Sequence, residues 1–204
     1  MKFKWLLLSC VFCLASGSFA AEPRSWPGAY PGRLQAPGQT QAEPSPAVLL
    51  RQGMGQLIKF LRRQPSPKGA EIAAYIDTQV APYFDFGYMT RWVAGSRYRY
   101  MNEQQRSAME ARLKTMFLGA LAQRLGSYGN QNVRFNKPRR VGANEVDVGV
   151  DILTPGTYPA RLNFRFYRSG DGWKVFDVSA NGSSALVHYR QYFARMQRQS
   201  PRWG

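Results

Sequence analysis

The chain has 204 residues, with 28 Lys and Arg against 12 Asp and Glu, for a formal charge of +16. At 44% hydrophobic and 14% aromatic it is too apolar for a disordered protein, and its length suits one domain with a real core rather than a multidomain enzyme.

Lys2 and Lys4, the apolar run from Trp5 to Leu14, and Ser18-Phe19-Ala20 are the three parts of a secretory signal, residues 1–20, cleaved after Ala20. The apolar run is about half of the roughly twenty residues needed to cross a bilayer, which favours a cleaved signal over a membrane anchor. Leu7-Leu8-Ser9-Cys10 looks like a lipobox, but the apolar run before it is short and continues past it. Cleavage removes both cysteines and leaves 26 basic and 12 acidic side chains, a charge of +14. The exported protein then has no disulfide, no thiolate nucleophile and no cysteine-based metal site.

Residues 21–46, rich in Pro and Gly and without apolar periodicity, read as a disordered linker ahead of a domain at 47–200. Helices come first. Ser45-Pro46 is a helix start, followed by Leu50, Met54, Leu57, Ile58 and Leu61 on one face. A second helix runs from near Lys68 through Ile72, Ile76 and Val80 and is expected to end before Pro82. A short aromatic helix over Tyr88 to Ala94 stops at Gly95. The long third helix starts at Asn102, with Gln105 as partner in a capping box. Its apolar stripe holds Met109, Leu113, Met116, Phe117, Ala120, Leu121 and Leu125.

The period then changes from 3.6 to 2. Glu145 to Ile152 alternates acids with aliphatic residues, Arg161 to Phe166 alternates again, Trp173 to Val178 follows a Gly-Asp-Gly turn, and Val133 to Phe135 supplies an earlier strand. Ala185 to Arg198 closes the chain as a helix. The expected fold is α+β, with helices packed on a curved, mainly antiparallel four-stranded sheet in a cone-shaped, NTF2-like arrangement that encloses an apolar cavity.

The residues offer little for catalysis. His188 stands alone, no His/Asp/Glu metal cluster occurs, and no nucleophile elbow, P-loop or dinucleotide fingerprint is present. No catalytic residue, metal or cofactor is expected. Asp85, between two phenylalanines, is the best isolated acid for a general base, although such an aspartate more often caps a helix. Of the 28 basic residues 21 are Arg, spread along the chain rather than clustered, so nucleic acid is not an expected partner. Arg97, Arg99, Arg139 and Arg140 fall in loops where contact with anionic lipid is favourable.

Pro82-Tyr83-Phe84-Asp85-Phe86, then Val93-Ala94-Gly95, Tyr98 and Gln105-Arg106, resemble the MlaC/toluene-tolerance family of periplasmic lipid carriers. Pro159-x-Arg161-Leu162-x-Phe164, Gly172-Trp173-Lys174-Val175-x-Asp177-Val178, Gly182-x-Ser184, Tyr189-Arg190 and Phe193 continue the resemblance in order. Ser183 and Ala185 depart from the family's usual aliphatic residues at those places. The resemblance implies a shuttle that binds phospholipid as ligand and moves it through the periplasm between an outer-membrane lipoprotein complex and an inner-membrane ABC transporter complex. It makes Met109, Leu113, Met116 and Phe117 on the long helix, facing Val148, Val150, Leu162, Phe164 and Phe166 on the sheet, the candidate lining. By periodicity alone the same stripes read as ordinary core packing. Trp92, Arg97, Tyr98 and Trp173 are the candidate rim and head-group residues. The alternatives are a cone-shaped enzyme using Asp85 or Asp177 as base, a carrier of another lipid such as a hopanoid, and a basic docking module with a solid interior.

Overall fold

A computed structural model describes residues 43–127 and 131–199, all within one compact unit, residues 41–204. The expected signal peptide and most of the linker lie outside the described residues.

Helix α1 spans Pro46–Leu61, with Pro46 in its first turn, where a missing N–H costs no hydrogen bond. Helix α2 covers Gly69–Tyr75, opened by Glu71, whose carboxylate accepts from the Lys68 N–H at 2.8 Å. The chain does not stop there. It widens into a π-helical turn at Ile76–Val80, which ends before Pro82 as expected, and Pro82 sits in a separate 3₁₀ turn at Ala81–Tyr83.

Helix α3, Phe86–Ala94, is capped by Asp85, whose carboxylate accepts from the Tyr88 N–H at 2.8 Å. Gly95 ends it with φ 59°, a left-handed conformation that favours glycine. A 3₁₀ turn at Gly95–Tyr100 leads to α4, Glu103–Leu125, where the Asn102–Gln105 box is closed in both directions at 2.8 and 3.0 Å.

The sheet has six strands rather than the expected four. Strands β1 (Asn132–Phe135), β3 (Glu145–Leu153), β4 (Ala160–Ser169) and β5 (Gly172–Ala180) form its body, and the two-residue strands β2 (Arg139–Arg140) and β6 (Ser183–Ser184) extend it. The order is β1-β3-β4-β5-β6, with β2 also on β3, and all named pairs are antiparallel. Helix α5, Ala185–Gln199, follows β6 directly.

Register separates the two faces of the sheet. Val146, Val148 and Val150 pair with Phe166, Phe164 and Leu162, while Asp147 and Asp151 pair with Arg165 and Arg161 on the other face. Gly149, on this second face, leaves room for Asn136, whose amide nitrogen stands 3.0 Å from where a Cβ would lie. Asp151 is 2% exposed and pairs with Arg134 at 2.9 Å and Arg161 at 3.2 Å. The Arg134 hydrogen bond, joined by Arg161 and Asn136, holds its carboxyl below the ordinary range despite burial.

Between Arg165 and Phe166 the β4–β5 register shifts by one residue. Val175 therefore joins the aliphatic face while Phe176 packs among the helices, which lets one strand serve two apolar clusters. The helical cluster gathers Ile72, Ile76, Met89, Val93, Leu113 and Phe176 with their neighbours. The sheet cluster gathers Ala47, Leu50, Val146, Val148, Val150, Phe166 and Val175. Helix α1 belongs to both, with Ala47 and Leu50 on the sheet and Phe60 among the helices.

Candidate functional site

The joint between the two clusters is built from the segment that links α2 to α3. Phe84 makes a parallel bridge to Val175 at the free edge of β5, and the Asp85 N–H donates to the Val175 carbonyl at 3.0 Å. Phe84 and Val178 are half-buried and pack against both clusters. Beside them, Met54 on α1 and Leu162, Phe164 and Trp173 on the sheet are half-buried against the sheet cluster. Leu57 and Ile58 of α1 are half-buried as well. The aliphatic face of the sheet is thus only partly covered, along a seam crossed by α1.

The expected lining falls into two groups across this seam. Leu113 and Phe117 are buried in the helical cluster, with Met109 and Met116 half-buried beside them. Val148, Val150 and Phe166 are buried in the sheet cluster, with Leu162 and Phe164 half-buried. The α4 stripe therefore packs with α2, α3 and α5, and α1 is the helix that lies on the aliphatic sheet face. Sequence periodicity identified both stripes but not the element that covers each.

The expected rim residues also separate. Trp173 sits at the β4–β5 turn, where its backbone N–H donates to the Glu43 carboxylate at 3.1 Å and Arg168, paired with Glu43 at 2.7 Å, lies over its ring. Trp92, Arg97 and Tyr98 sit at the end of α3 and in the following 3₁₀ turn. A cleft of about 210 Å³ opens there, lined by Val93, Met101, Met109 and Phe193 below Arg97 and Arg190. A shallower groove beside it holds Arg91, Arg99, Arg106 and Tyr98. Arg190, Arg106 and Phe193 belong to the motifs that carry the family resemblance, but nothing in the sequence places them around Gly95.

The family profile described as "MlaC protein" matches residues 51–202. The chain belongs to the MlaC family. Among solved structures, a phospholipid-binding protein from Ralstonia solanacearum, in complex with a phospholipid, shares the fold with a TM-score of 0.66 at 20% identity, over 74% of this chain and 87% of that one. No curated protein matches the chain.

Within this MlaC fold the two aspartates considered as bases have structural partners. Asp85 caps α3 and accepts the Tyr167 hydroxyl. Asp177, 2% exposed, accepts from the Ser184 hydroxyl at 2.7 Å and the Leu186 N–H at 3.1 Å, and so anchors the start of α5. His188 is exposed and contacts the Tyr189 ring edge-on. Among the described residues no group of three or more His, Cys, Asp or Glu is placed to hold a metal, and no helix is long and apolar enough to cross a membrane. The fold thus offers a partly covered apolar seam and, at the end of α3, a small cleft lined by arginines and apolar side chains.

Proposed function

We propose that this protein binds a phospholipid without chemistry, as a periplasmic carrier that shuttles lipid between an outer-membrane lipoprotein complex and an inner-membrane ABC transporter complex. The observation that carries the binding step is the seam. The aliphatic face of the sheet is half-covered at Leu162, Phe164 and Val178, and it is bordered by Met54 and Phe84. Acyl chains inserted there, between α1 and the sheet, would open an apolar cavity by separating side chains that are only partly buried. Methionine suits such a boundary because its flexible thioether repacks around varied chains.

Membership of the MlaC family and the bound phospholipid of the Ralstonia solanacearum protein support the same reading. So does the energetic need for a carrier. Two chains of about fifteen CH₂ groups exposed to water cost on the order of 24 kcal/mol at roughly 0.8 kcal/mol per CH₂, and a carrier has to replace nearly all of that burial. The engagement of Asp85 and Asp177 in helix capping favours binding over acid–base chemistry at those residues.

Native mass spectrometry of the purified exported chain tests this reading. Phospholipid at about one per chain supports it, and the mass of the released lipid separates phospholipid from a hopanoid. A clean apo mass with no uptake from liposomes overturns it.

A further inference from the structure

The turn around Gly95 concentrates positive charge. Arg97 and Arg190 line the cleft, and Arg91, Arg99 and Arg106 line the adjoining groove. None of the five is ion-paired among the described residues, whereas Arg134, Arg139, Arg161, Arg165 and Arg168 on and around the sheet all are. No acidic side chain lines either depression. The backbone helps to assemble the group, because Gly95 lets the Arg190 guanidinium approach to 3.3 Å from where a Cβ would stand. Arg106 lies 4.6 Å over the Tyr98 ring and donates to the Tyr98 carbonyl at 3.2 Å, and its buried Nε has no partner among the described residues.

Two large aromatic side chains reach solvent in the same stretch of chain. Trp92 is 40% exposed and Tyr100 is 79% exposed, on either side of the arginine-bearing turn. Rings that present an apolar body and a polar edge beside unpaired cations match the interface of an anionic bilayer, where the rings enter the head-group layer and guanidinium groups meet phosphate. An acidic protein surface would satisfy the charges as well, and binding to protein-free anionic vesicles separates the two.

We infer that the face formed by the end of α3 and the Gly95–Tyr100 turn docks on an anionic lipid surface, with Arg97 and Arg190 receiving a lipid phosphate at the mouth of the cleft. The contact needs no cargo, so it holds whether the seam is loaded or empty and stands apart from the carrier reading.

Co-sedimentation of the full exported chain with vesicles tests it. Binding is expected to phosphatidylglycerol–phosphatidylethanolamine vesicles, weakened by salt, and not to phosphatidylcholine vesicles. Replacing Arg97→Gln and Arg99→Gln together should weaken it about 30-fold, from the contribution of each arginine near an anionic surface. Arg97→Lys with Arg99→Lys should retain most of it, and Trp92→Ala with Tyr100→Ala should lower it at fixed charge. Circular dichroism checks that each variant is folded. The inference is overturned if phosphatidylcholine binds equally, if the glutamine pair binds like wild type, or if Arg62→Gln with Arg124→Gln elsewhere loses as much. Binding of inorganic phosphate at the cleft with no binding of anionic vesicles also overturns it and assigns the cleft to a free anion.

Discussion

The Tyr167 hydroxyl, on β4, donates to the Asp85 carboxylate that caps α3, so one hydrogen bond joins the sheet to the helical layer. Tyr88, in the first turn of α3, stacks on the Tyr167 ring with centroids 4.3 Å apart. Tyr167→Phe keeps the ring and removes the donor. Hydrogen bonds to charged groups contribute about 1.5–3 kcal/mol, and because Asp85 is half-buried the loss is expected near the low end, about 1.5 kcal/mol. Urea unfolding at neutral pH measures it, and an unchanged midpoint would show that the joint holds without this bond.

The same pair predicts a pH dependence. Burial first, and then the bond to Asp85, push the Tyr167 phenol well above its ordinary value of 10.0. A group whose folded pKa is raised contributes its full stability below the unfolded value and loses it as pH climbs toward the folded one. The stability difference between wild type and Tyr167→Phe should therefore stay constant up to about pH 9 and shrink above about pH 10. The other tyrosines titrate in both proteins and cancel in the difference. A gap that stays constant through alkaline pH would sever the link between the bond and the titration.

Asp151 gives the opposite sign. Its carboxyl is held below the ordinary 3.8, chiefly by Arg134. A depressed group contributes stability above its unfolded pKa and loses it as pH falls through the folded one. Arg134→Ala should cost about 1 kcal/mol or less at neutral pH, since the guanidinium is largely exposed, and the cost should disappear in acid below the ordinary aspartate value. Thermal unfolding across that range reads both parts, and a cost that persists in strong acid would mean that Arg134 acts through packing.

The capping box that opens α4 satisfies one donor at each end of the Asn102–Gln105 pair. Asn102→Ala is expected to lower stability by about 1 kcal/mol, with Asn102→Ser close to neutral, in urea denaturation.

That box was legible in the sequence because capping needs particular residues at fixed spacing. The alternation of β3 was legible for a similar reason, since acids and valines separate onto two faces only at period 2. Strands β2 and β6 have two residues each, too short for any periodicity to register. The helical run ends before Pro82, as that residue predicts, but the switch through a π turn leaves no residue signature, and a proline early in the separate 3₁₀ turn forfeits no hydrogen bond. The candidate site was legible as two apolar stripes. Their partners were not, because periodicity marks a face and tertiary packing decides what covers it. The one-residue shift at Arg165/Phe166, which sends Val175 and Phe176 to different clusters, follows from that packing.

The two groups of lining residues make different predictions. Leu113 is fully buried among the helices, so Leu113→Ala should cost about 2–5 kcal/mol while leaving lipid occupancy of the folded fraction unchanged. Phe164 is half-buried at the seam, where Phe164→Trp fills space that acyl chains would need and disturbs little that is already packed. It should reduce phospholipid per chain in native mass spectrometry with circular dichroism unaltered. Val150 is 0% exposed, so Val150→Trp overpacks the sheet cluster and should cost about 1–3 kcal/mol besides lowering occupancy, which makes it the less discriminating probe. If Phe164→Trp kept its lipid and Leu113→Ala lost it with the fold intact, the chains would lie among α2, α3, α4 and α5 instead of between α1 and the sheet.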